Sequence, residues 1–68
     1  MGTTITLNGA TVDWRSSGTI GQLLDEHSID PSHVVVEINR EIVNIDDFDC
    51  RTVREGDVIE ILRFVGGG

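Results

Sequence analysis

The stretch TITLNGATVDW, residues 4–14, constrains the fold more than any other part of the chain. Ile5 and Leu7 alternate with Thr4 and Thr6, and Ala10, Val12 and Trp14 resume the alternation after Asn8-Gly9. Two period-two runs around Asn-Gly predict a β-hairpin, because that dipeptide accepts the left-handed turn that right-twisted strands require. The next segment changes period. Ile20, Leu23 and Leu24, joined by Ile29, share one face at helical spacing. Thr19 with Gln22 three residues later forms a capping box, so the helix is expected to start there. Pro31 forbids its continuation. His27 falls in the last turn, where a cation complements the helix dipole.

The remainder reads as strands. VVVEIN, residues 34–39, places Val34, Val36 and Ile38 on one side and Val35 and Glu37 on the other. NREIV reads as a turn into a short strand, NIDDFDCRTV as irregular chain whose acids cap a single helical turn, and REGD as a turn. VIEILRFV is the last strand. A lone amphipathic helix must bury its stripe on one face of a single sheet. The expected architecture is therefore α+β, a mixed sheet of about four to five strands with one main helix on one face, the β-grasp or ubiquitin-like layout. The domain is expected to span residues 1–65, with 66–68 as a flexible glycine tail.

With 68 residues, one cysteine and 38% hydrophobic content, the chain supports one small core without a disulfide or an enclosed active-site cavity. Twelve acids oppose five arginines, a net charge of −7. Nucleic acid is not expected as a partner, since phosphate binding needs a basic surface. An acidic module is instead steered toward basic protein surfaces. No secretory signal and no bilayer-length apolar run are evident, which with the lone Cys50 leads to an expected cytoplasmic location and no membrane partner.

The last strand and its extension carry the functional expectation. Glu60 must face solvent, so Ile59 and Ile61 face the helix and Leu62 and Phe64 point outward beside Glu60. With Val35 of the adjacent run, these side chains form an apolar docking patch. Gly66, Gly67 and Gly68 follow directly. A glycine arm has no Cβ atoms and threads a channel too narrow for other residues. It delivers the α-carboxylate of Gly68, which must be activated before it reacts, most simply as a mixed anhydride with AMP. No Gly-rich phosphate loop with a lysine is present, so nucleotide chemistry belongs to a partner. Ordering the arm costs about 1–2 kcal/mol per residue. Burying Leu62 or Phe64 returns about 1.5–3 kcal/mol each. The folded body must therefore supply the affinity.

VVVEINREIV, REGDVIEILRFVGGG and the N-terminal hairpin together resemble the thiamin-biosynthesis sulfur-carrier family of ThiS type, over essentially the whole chain. The resemblance implies a β-grasp protein whose terminal glycine is adenylated by an E1-like enzyme with ATP and magnesium. It further implies conversion to a thiocarboxylate with sulfur from a cysteine desulfurase or other persulfide donor. Thiazole synthase then receives the sulfur. On this resemblance Gly68 carries the sulfur, Gly67 completes the terminal pair, Gly66 extends the arm, and Phe64 and Val65 are the hydrophobic pre-tail residues. Arg40 stands where a glycine is common in the family, and NIDDFDC is more acidic than its counterpart.

Two neighbouring readings share the arm. One is the small subunit of molybdopterin synthase, whose approach to the glycines tends to contain proline; Pro31 lies far from the tail here. The other is a ubiquitin-like protein modifier, which without lysine cannot build chains on its own lysine side chains. Cys50, among Asp46, Asp47 and Asp49, is read as inert packing. His27 and His33 lack ligand-spaced neighbours, so no metal site is expected. Trp14 is expected to cover a sheet edge. No nucleophile–base pair stands out, so no catalytic residue is assigned and the chain is read as a co-substrate rather than an enzyme, binding no cofactor itself.

Overall fold

Two asparagine turns frame the sheet of this protein, whose computed structural model describes residues 3–15 and 17–64. Strand β1 (Thr3–Leu7) turns through Asn8-Gly9, at φ 48° and 85°, into β2 (Ala10–Trp14). Strand β3 (Val34–Ile38) turns through Asn39-Arg40, at φ 52° and 72°, into β4 (Glu41–Val43). Positive φ at both central residues gives each turn a twist that matches its flanking strands. Asparagine tolerates that conformation; Arg40 adopts it at a steric cost.

Strand β5 (Val58–Arg63) lies in the middle of a five-stranded sheet of order β2-β1-β5-β3-β4. It runs parallel to β1 and antiparallel to β3. The parallel pairing is short, Thr6 with Val58 and Leu7 with Ile59. Turn side chains add bonds to β5 on both sides. The Oδ1 of Asn8 accepts from the Ile61 N–H at 2.8 Å, and the Oδ1 of Asn39 accepts from the Val58 N–H at 2.9 Å. Each asparagine therefore shapes its own turn and also holds the central strand, from opposite sides.

The helix α1 (Ile20–Glu26) covers one face. Its start follows the sequence: Thr19 and Gln22 form a complete capping box. The first helical N–H groups, which have no partner within the helix, find carbonyls in the connection before β5. Ile20 donates to Arg51 and Gly21 to Phe48, at 3.0 and 2.9 Å. The helix stops five residues before Pro31, sooner than the proline requires. Ser28 enters the left-handed region at φ 56°, and Ile29 donates back to the Leu24 carbonyl at 2.9 Å. That closure satisfies the terminal carbonyls and turns Ile29 onto the core. The ring Nδ1 of His27 donates to the Leu23 carbonyl at 2.9 Å.

Ile20, Leu23 and Leu24 are completely buried against Ile5, Val36, Ile38, Ile59 and Ile61. Trp14 is buried at the sheet margin as expected, with its ring against Gly18, where a Cβ would collide with the indole. The irregular segment contributes more than the sequence indicated. It carries a 3-10 turn (Ile45–Asp47) and buries Phe48 and Val53 in the core. The cap of that turn is corrected: Asn44, not an acid, accepts from the Asp46 N–H, while Asp46 and Asp47 lie inside the first turn.

Candidate functional site

The side of the sheet opposite α1 holds the candidate docking residues. Antiparallel pairing sets Val35 opposite Leu62, and Glu37 opposite Glu60, on this side. The intervening Ile59 and Ile61 are buried beneath the helix, as the alternation along β5 requires. Leu62 is 50% and Phe64 58% exposed. Val35 is half-buried beside them. Sequence phase thus brings Val35, Leu62 and Phe64 to one end of the open sheet. Val65, Gly66, Gly67 and Gly68 lie outside the described residues.

The patch is wider than sequence reasoning found. Ile42, opposite Glu37 on β4, is 72% exposed, and Val58 lies two residues before Glu60 with its side chain also exposed. Val58 was legible in principle, because it shares the phase of Glu60, already placed on the open side.

Phe64 is fixed where the chain leaves β5. Its N–H donates to the His33 carbonyl at 3.0 Å. His33 ends a short 3-10 turn (Pro31–His33) capped by Asp30. The Asp30 carboxylate accepts from the Ser32 hydroxyl at 2.7 Å and from the Ser32 N–H at 2.9 Å. Those two bonds, first the hydroxyl and then the backbone, hold its pKa below the ordinary 3.8, with His33 a smaller contributor. The turn is therefore built to offer a carbonyl to Phe64, two residues before the glycine arm. A groove of about 400 Å³ opens there, between Ile29, His33, Arg63 and Phe64.

Cys50 corrects the expectation of a packed thiol: it is exposed, and its Sγ lies 3.5 Å from the Asp47 carbonyl. Among the described residues, no group of three or more His, Cys, Asp or Glu side chains is arranged to hold a metal ion. No described helix is long and apolar enough to cross a membrane.

A mixed five-stranded sheet grasping one helix, with its last strand leading into a glycine run, defines a ubiquitin-like β-grasp protein. The chain belongs to the ThiS family, whose family model matches residues 1–68. It is 41% identical over 63 residues to the sulfur carrier protein ThiS of Bacillus subtilis (strain 168), covering 91% of this chain and 96% of that protein. It is 38% identical over 64 residues to a thiazole synthase of Paramagnetospirillum magneticum, covering 94% of this chain but 20% of that protein. Among solved structures, the crystal structure of the thiamine biosynthesis protein ThiS from Geobacter metallireducens superposes with a TM-score of 0.80 at 37% identity, covering 96% of this chain and 99% of that one. The solution structure of a thiamine biosynthesis protein from the same organism gives a TM-score of 0.76 at 38% identity, covering 96% and 87%.

Proposed function

We infer that this ThiS-family protein is a sulfur carrier for thiazole formation in thiamin biosynthesis, acting as a co-substrate in the cytoplasm. The observation that carries the reading is the end-to-end similarity to a sulfur carrier protein, with 91% of one chain and 96% of the other covered. The thiazole synthase that contains a related segment within its own chain supports thiazole synthase as the sulfur acceptor.

The proposed chemistry acts on the α-carboxylate of Gly68. An E1-like partner, using ATP and magnesium, converts the carboxylate to an acyl adenylate and releases pyrophosphate. The terminal sulfur of a persulfide, supplied by a cysteine desulfurase or an equivalent donor, attacks the acyl carbon and AMP departs. A second thiol then breaks the remaining S–S bond, leaving a thiocarboxylate on Gly68 and a disulfide on the donor side. Gly66 and Gly67 thread the partner's channel. Val35, Leu62, Phe64 and Val65 dock the body, with Phe64 held at the foot of the arm by the His33 carbonyl.

Reconstitution tests the reading. Thiazole synthase, given its other substrates, should form product in proportion to the thiocarboxylated chain added. Product formation at the same rate with the untreated carboxylate form would refute it.

A further inference from the structure

Glu37 and Glu60 occupy directly opposed positions on the antiparallel β3–β5 pair, both on the open side of the sheet. Such positions bring Cβ atoms to roughly 4.5–5.5 Å, and like charges there oppose folding. Among the described residues neither carboxylate has an ion-pair partner: the ion pairs there are Arg15–Glu26 and Asp30–His33. Around this pair lie exposed Ile42, Val58 and Leu62 and half-buried Val35, an apolar rim on the open side of the sheet. A partner that covers the rim takes both carboxylates out of water, a severe cost unless it brings positive charge with it.

We propose that this face is the seat of thiazole synthase, with an arginine or lysine of the synthase entering between Glu37 and Glu60 while apolar side chains cover the rim. The assignment rests on the sulfur-carrier reading. It favours the synthase because a related segment forms 20% of a thiazole synthase chain, where a docked face works against its own covalent neighbour. Charge complementarity supplies the selectivity. A neutral or acidic surface would bury two unpaired carboxylates, and a purely basic one would leave the rim without partners. The pair thus weakens the free domain and strengthens the complex.

The experiment compares wild type, Glu60→Gln and Glu37→Gln with Asp25→Asn, which removes one charge from the exposed helix side. Melting of each free protein and its Kd for thiazole synthase are measured, the latter at several salt concentrations. Each glutamine variant should melt higher than wild type, by roughly 1–5 °C. Each should bind the synthase about tenfold more weakly with a shallower salt dependence. Asp25→Asn should bind like wild type. Unchanged affinity of the glutamine variants, or an equal loss with Asp25→Asn, would overturn the proposal. So would a loss confined to the activating enzyme, or a wild-type chain that does not bind the synthase. Sulfur loading of the wild-type chain, followed by intact mass in parallel, judges the carrier reading separately.

Discussion

Val35 and Leu62 face each other across the β3–β5 ladder, on the side of the sheet that α1 leaves open. Strand alternation that buries Val36 and Ile61 under the helix necessarily sends these neighbours outward. The apolar surface at the root of the glycine arm is therefore a consequence of how the core is built. Truncating it should cost binding and spare the fold. Phe64→Ala and Leu62→Asp are expected to weaken binding to the activating enzyme, Phe64→Ala by about tenfold or more, since the loss of a buried aromatic anchor commonly costs over 1 kcal/mol. Circular dichroism should remain that of the native protein. Wild-type affinity in both variants would remove these residues from the interface.

The Asn8 side chain predicts a stability effect far from its own turn. In Asn8→Ala the Ile61 N–H loses its acceptor, which should destabilise the domain by about 1–3 kcal/mol in denaturant titration. Asn8→Asp retains an acceptor oxygen and a residue suited to the turn, and should recover most of that loss. Equal losses in both variants would show that the bond to β5 contributes little.

Arg40 predicts the opposite sign. At φ 72° it lies in the left-handed region, where an ordinary side chain costs roughly 1–2 kcal/mol. Arg40→Gly removes that cost but gives the unfolded chain more freedom, worth about 0.4–1 kcal/mol. The net expectation is a gain of about 0.5–1 kcal/mol, seen as a higher urea midpoint at unchanged m-value. A loss of stability would mean that the arginine side chain contributes more than its backbone strain removes.

Local signals made most of the fold legible. The Asn8-Gly9 hairpin, the Thr19–Gln22 capping box and the phase of β5 each depend on residues only a few positions apart, and each stands as read. What escaped the sequence was long-range. Nothing near Asn8 indicates that its side chain completes a ladder with Ile61, and nothing near Phe48 shows that an otherwise acidic segment closes the core over the start of α1. Cys50 was misplaced for a related reason: its neighbours indicate charge, while exposure depends on how the whole segment folds back. The helix ended early because a serine in the left-handed conformation closed it, and serine does not announce that role as glycine would. The exposed apolar face was partly read because phase is local along a strand. Val58 shares the phase of Glu60 on β5 and could have been read with it, whereas Ile42 joined only once the β3–β4 register was known.

The central claim concerns one atom of Gly68, and intact mass reads it most directly. The chain is incubated with an E1-like adenylating enzyme, ATP, magnesium, a cysteine desulfurase and cysteine. The account predicts a mass gain equal to sulfur minus oxygen, confined to the C-terminal peptide. Deleting Gly67 and Gly68 should abolish it, and Cys50→Ser should leave it unchanged although that thiol is exposed. Sulfur mapped to Cys50, or equal modification of the shortened chain, would contradict the account.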